Sequence, residues 1–237
     1  TLAADYLWLD AWGLEKEIII VANGRGVRGV RLLSPLEYQK AVLQISGVKI
    51  DSDELPSDQF DTEFKYPTQA DTGVVLYDNM KKYLSLAEKV SQSVNLINLG
   101  CSASSCTGAQ LEQLGLKVHR RPLTVEEKTD YVNLNNSDGS RAVFASMLMS
   151  PYFLYKMELG QWNAGESAYE LDDYELASSL AFMIWGTSPD DGLLSIAASG
   201  GLSTDEQVAS VVENMMNDSR FAENMATFIK YYTHSYQ

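Results

Sequence analysis

A chain of 237 residues with 45% apolar and 21% charged side chains can bury one good core or two small ones, which excludes a disordered tail. Its 18 basic and 32 acidic residues leave a net charge of -14, so the phosphate backbone of a nucleic acid is a repelled partner. The most apolar stretch, Ala177 to Trp185, is about half the roughly eighteen residues a bilayer requires, so no membrane-spanning helix is predicted.

The first residue is Thr1, and no charged-then-apolar leader precedes it, so a processed mature chain or a trimmed piece is expected. Tyr6, Leu7, Trp8, Leu9 and Trp12 form a short amphipathic segment of the kind that docks or joins a core. Glu17 to Ala22 reads as a strand, and Gly24, Gly26 and Gly29 follow it as a literal G-x-G-x-x-G. A dinucleotide fingerprint needs the last glycine to open a long helix. Here Val30-Arg31-Leu32-Leu33 runs into Ser34-Pro35, so a glycine turn or hairpin is predicted instead.

Helical signals dominate from Ser34 onward. Ser34-Pro35-Leu36-Glu37 is a capping box with proline at the first helical position, and Gly47 closes that helix. The connection 51–71 is acidic but lacks the sixth-position glycine and twelfth-position glutamate of an EF-hand loop. Val74 to Val94 predicts a long helix with Val75, Met80, Tyr83, Leu84, Ala87 and Val90 inward. Thr107 to Leu116 is a further helix, and Thr124 to Glu127 caps another that fades near Gly139. Arg141 to Met149 follows, and Ser150-Pro151 restarts a helix carrying Phe153, Leu154 and Met157. Asp172 to Glu175 caps a helix, Leu176 to Trp185, that is apolar nearly all round and belongs at the centre of a core. Ser188 to Asp191 and Ser203 to Glu206 cap two more. The last helix carries Phe221, Met225, Phe228, Ile229 and Tyr232 and ends without a glycine stop, which predicts a chain incomplete at its C-terminus.

Cys101 and Cys106 are the two cysteines, and their spacing suits a short disulfide loop better than free thiols, which points to an oxidising compartment. No Cys-x-x-Cys-His occurs, so no haem is attached covalently by this chain, and with His119 and His234 as the two histidines no metal site is expected. The second half, from Leu123, holds 5 basic against 17 acidic residues, with none basic between Lys156 and Arg220. The plain reading of Asp172, Asp173, Glu175, Asp190 and Asp191 is helix capping on a solvated surface. The sharper reading is a docking face for a cationic partner such as a lysine-rich electron carrier. Trp162 and the terminal tyrosines divide between core and surface platform, and Trp185 is assigned to the core.

Arg31 to Tyr38, Arg120-Arg121-Pro122-Leu123-Thr124, Ser150-Pro151-Tyr152-Phe153-Leu154-Tyr155, Glu175-Leu176-Ala177-Ser178 to Trp185, and Pro189-Asp190-Asp191 occur in this order, and together these phrases resemble uncharacterised domains found beside planctomycete-type cytochromes c. The resemblance runs from about Arg31 to the end. It implies an exported, periplasmic or extracellular protein whose helical modules accompany cytochrome c, in electron transfer coupled to oxidative polysaccharide breakdown. The haem would then sit on a partner subunit or on a module outside this chain. Two departures stand out. His119 replaces the usual aromatic before Arg-Arg-Pro, which makes it a candidate axial or proton-transfer group against the plainer reading of a satisfied surface histidine. Ser179 stands where an arginine is common.

The predicted architecture is mainly α: helical bundle modules with a short N-terminal β-hairpin or strand. It comprises an N-terminal segment over 1–30, a helical module over 31–99 and a second over 101–237. The leading function is an accessory, non-catalytic part of an extracytoplasmic redox system. A glycan-binding or subunit-assembly module and a carboxylate-dependent hydrolase are the alternatives.

Overall fold

The structure is a computed structural model that describes residues 29–57, 77–165 and 167–233. The predicted strand at 17–22, the aromatic segment at 6–12, most of the acidic connection, His234 and Tyr236 lie outside the described residues. Gly29 is described and opens a strand, β1 (Gly29–Leu32), rather than a helix. Its partner is remote in sequence. β1 pairs antiparallel with β2 (Tyr155–Glu158), with Gly29 opposite Glu158 and Leu32 opposite Tyr155.

The described residues are mainly helical. Helix α1 (Pro35–Ser46) carries the predicted capping box: Ser34 Oγ accepts from Glu37 N at 3.2 Å, and Glu37 accepts from Ser34 N at 2.8 Å. Both Glu37 oxygens also receive the Arg31 guanidinium at 2.8 Å, so one carboxylate fixes the strand-to-helix corner. Helix α2 (Tyr77–Ser93) buries Tyr83, Leu86, Ala87 and Val90. Met80 and Leu84, predicted inward, are exposed, because the buried stripe follows 83, 86/87 and 90 and leaves them on its flank. The Arg141 side chain donates to the carbonyls of Ser91, Gln92 and Val94 and satisfies the end of α2.

Cys101 and Cys106 form a buried disulfide with Cα atoms 4.7 Å apart. Ser140 Oγ accepts from Cys106 N at 2.8 Å, and the Asn135 amide donates to Cys106 O at 3.1 Å. Helix α3 (Gly108–His119) continues three residues past the predicted Leu116, until Arg120 adopts a left-handed φ of 59°. Helices α4 (Val125–Asp138) and α5 (Ser140–Leu148) follow. The helix predicted to restart at Ser150 is one turn only, α6 (Pro151–Leu154), and Met157 lies in β2. The chain leaves the helix because Leu154 O accepts from Leu33 N at 2.8 Å and residues 155–158 pair with β1.

A small hairpin, β3 (Gln161–Asn163) and β4 (Ala168–Glu170), leads to α7 (Asp173–Ile184), α8 (Asp191–Ala198), α9 (Asp205–Met216) and α10 (Ser219–Tyr232). One hydrophobic cluster draws on Tyr38, Val42, Tyr83, Val90, Leu114, Phe144, Met147 and Phe153. A second is built from Ala177, Leu180, Ala181, Ile184 and Trp185 of the α7 region with Leu193, Ala197, Leu202 and Met215. Helix α7 is not buried all round: Met183 is 65% exposed, and Ser179 Oγ donates to Glu158 at 2.5 Å. From α1, the Gln44 amide donates to Ser188 O at 3.0 Å and Pro189 O at 3.1 Å. No helix among the described residues is long and apolar enough to cross a membrane.

Candidate functional site

The turn after α3 places the Arg120-Arg121-Pro122 phrase against the end of α6. Arg120 is buried, and its guanidinium donates to the carbonyls of Tyr152, Phe153 (3.3 Å) and Tyr155 (2.6 Å). It thus satisfies carbonyls at and just past the C-terminal end of α6, where a cation also complements the helix dipole. Burial draws its pKa down to about 9, which still leaves it charged at neutral pH. Arg121 turns outward, pairs with Glu127 through bonds of 2.9 and 2.7 Å, and stacks with its guanidinium carbon 3.8 Å from the centre of the Tyr152 ring. Glu127 simultaneously accepts from Thr124 N at 2.8 Å, completing the capping box of α4.

His119 is a core residue, not a surface one: its side chain is 1% exposed. Nε2 lies 3.1 Å from the Tyr131 hydroxyl, and the ring stacks on Tyr152 with centroids 5.5 Å apart. Nδ1 faces Glu127 at 3.8 Å, beyond hydrogen-bond reach, and has no hydrogen-bond partner among the described residues. Burial pushes the imidazole pKa down to about 4 against the opposing pull of Glu127, with Arg121 and Arg120 adding to the depression. The ring is therefore neutral at pH 7. Burial likewise raises the Tyr131 hydroxyl to about 12, so it stays a proton donor or acceptor rather than an anion.

His119, Arg120, Arg121 and Tyr152 line a cleft of about 230 Å³ together with Met157, Leu159, Gln161, Tyr174, Ser178, Asp172 and Glu175. Both carboxylates serve backbone. Asp172 caps α7 by accepting from Glu175 N at 2.8 Å, and Glu175 accepts from Leu159 N and Gly160 N, each at 3.0 Å. A hydrolytic pair needs one carboxylate to carry a proton and the other to face it, and these two instead hold a helix start and a turn.

The remaining predicted docking acids are also engaged. Asp173 accepts from Leu202 N at 3.3 Å, Asp190 caps α8 and pairs with Arg220 at 2.8 Å, and Asp191 pairs with Lys117 at 2.8 Å. Trp185 lies in the second core, and Pro189 presents its carbonyl to Gln44. The structure thus brings His119, Arg120, Arg121, Asp172 and Glu175 to one cleft and places Trp185, Pro189 and Asp190 elsewhere. Sequence reasoning missed Ser178, Gln161 and Tyr174 as cleft residues; Ser178 sat unweighed inside the Glu175 to Ser178 phrase. Among the described residues, no group of three or more His, Cys, Asp or Glu side chains could hold a metal ion.

Residues 171–237 match the family model described as PSD4, a protein of unknown function (DUF1592). The matched stretch starts one residue before the Asp172 cap and takes in α7 to α10. No curated protein and no solved structure matches the chain.

Proposed function

We propose that this chain is an accessory, non-catalytic module of an extracytoplasmic redox system, docking a cationic cytochrome c or other haem-bearing subunit in the service of oxidative polysaccharide breakdown. The observation that carries the reading is the charge of the surface around the second core. No basic residue lies between Lys156 and Arg220, and Asp205, Glu206 and Glu213 stand exposed on α9. Long-range attraction between such a face and a lysine-rich carrier raises encounter rates and weakens with salt. The buried Cys101–Cys106 bridge supports assembly in a periplasmic or extracellular compartment. The test is calorimetric titration of the chain with a basic cytochrome c at low and high ionic strength. Binding that weakens as salt rises, and that is lost on reversing Asp205, Glu206 and Glu213 to lysine, supports the reading; no binding at low salt overturns it.

A second reading, glycan attachment, rests on a different feature. Trp162 and Tyr169 face each other across the β3–β4 hairpin, 5.2 Å apart, and are 56% and 41% exposed. Retention on an insoluble polysaccharide that disappears in Trp162→Ala would favour it over docking.

A further inference from the structure

A second cavity, of about 380 Å³, serves neither reading. Lys40 and Leu43 line it from α1, Trp185 and Thr187 from the turn after α7, and Glu223 from α10. Its volume lies within the roughly 300–1,000 Å³ of small-molecule sites.

Two of its charged groups lack partners. Lys40 is half-buried, and a Cβ on Gly186 would lie 3.5 Å from its Nζ, so the amine sits over the glycine between Trp185 and Thr187. Among the described residues this amine makes no hydrogen bond and no ion pair, yet it is not sealed from solvent. Burial draws its pKa down, and the Glu223 carboxylate, ahead of that of Glu37, is the strongest charge opposing the fall. Glu223 is exposed, and its carboxylate likewise has no hydrogen bond or ion pair among the described residues. The two opposite charges therefore line one cavity, near enough to feel each other and too far apart to pair.

The neighbouring charges select among ligands. Arg220, also in the wall, is committed to Asp190 and Asp218 at 2.8 Å each. An anion alone would suit Lys40 but meet Glu223 and Asp190, and a cation alone would suit Glu223 but meet Lys40 and Arg220. A molecule that carries both charges meets neither objection and gains a charge-assisted hydrogen bond at each end. Leu43, 45% exposed, adds an apolar surface beside them.

We infer that this cavity binds a free zwitterionic amino acid with an apolar side chain, its carboxylate on Lys40, its ammonium on Glu223 and its side chain on Leu43. Lys40 and Leu43 belong to α1 and Glu223 to the stretch that matches the family, so the ligand bridges the two.

The test is titration of the whole chain, followed by amide chemical shifts, with leucine, methionine, glycine and glutamate, and with isocaproate and isoamylamine, which are leucine without its ammonium and without its carboxylate. Leucine or methionine should bind with a roughly millimolar Kd and shift residues 40–44, 185–187 and 220–224, and the other four should bind about tenfold or more weakly. Lys40→Met keeps the apolar stem and removes a half-buried charge that has no partner, so it should leave the melting temperature unchanged or higher while weakening leucine binding by about tenfold. Glu223→Gln, at an exposed position, should weaken it equally. No binding of leucine or methionine at about 50 mM, equal binding of isocaproate or isoamylamine, or indifference to either substitution overturns the inference. A lower melting temperature in both variants, without leucine binding to the wild type, would mean that Lys40 and Glu223 serve only each other.

Discussion

The guanidinium carbon of Arg220 lies 3.5 Å from the centre of the Trp185 ring, inside the segment that matches the family of unknown function. The same group bonds Asp190, the N-cap of α8, and Asp218, the N-cap of α10, each at 2.8 Å. Beneath it, the Trp185 indole N–H donates to Met215 O at 3.0 Å, tying α7 to the end of α9. One cation therefore clamps the joints of four helices.

Arg220→Ala should lower stability by about 2 kcal/mol, the summed scale of a half-desolvated stack and two ion pairs, read as a fall in the urea midpoint. Arg220→Lys should recover less than half of it, because an ammonium neither stacks flat nor forks to two carboxylates. Arg220 also holds the Asp218 carboxyl down to about 2 through its hydrogen bonds. A depressed carboxyl stabilises above its unfolded pKa, so in the wild type this part is lost as pH falls from about 4 towards 2, and in Arg220→Ala it is already absent.

His119 gives the opposite protonation case. Its folded pKa of about 4 lies below the ordinary value of 6.5, so the unfolded chain binds the proton first as pH falls. Stability should decline between about pH 6.5 and pH 4, by up to about 3 kcal/mol from this group. His119→Gln should flatten that part of the pH profile of the melting temperature. An unchanged slope would mean that the ring stays solvated.

Gly115 sits mid-helix in α3, where alanine ordinarily stabilises by about 1 kcal/mol. A Cβ there would lie 2.5 Å from Leu123 Cδ1 and Cγ, so overpacking should outweigh propensity and Gly115→Ala should cost about 1–3 kcal/mol. Adding Leu123→Ala should recover part of the loss, which a double-mutant cycle in urea would reveal.

Glu175 is predicted to matter for order rather than for turnover. Glu175→Ala frees the amides of Leu159 and Gly160, removes half of the α7 capping box, and should cost about 1–2 kcal/mol. Amide exchange at 159–160 should quicken more than in the first core. Gly160→Ala should mimic it, since φ is 62° and an added Cβ would meet Glu170 O at 2.8 Å.

What the sequence discloses here is what is local. The boxes at Ser34/Glu37, Thr124/Glu127 and Asp172/Glu175 span three residues each, and their hydrogen bonds form where the pattern predicts. The Cys101–Cys106 loop is equally short-range. β2 was hidden because its pairing partner, β1, lies more than a hundred residues earlier, and nothing in Tyr155 to Glu158 distinguishes it from a continuing helix. Arg120 was likewise opaque: a charged residue reads as surface, and its burial depends on three carbonyls arriving from α6 and β2. His119 stands out in the sequence as a departure from a motif, but its burial against Tyr131 and Tyr152 arises from tertiary packing alone.

The hydrogen bonds from Gln44 to Ser188 O and Pro189 O reach across the boundary at which the family match begins. A fragment cut at residue 171 would leave those carbonyls without their donor, part Glu175 from the Leu159 and Gly160 amides, and deprive Ser179 of Glu158. The matched stretch is thus portable only with a host that supplies an equivalent cradle. Where it recurs in other proteins, what precedes it should present an amide donor at this corner and an extended strand beside its first helix.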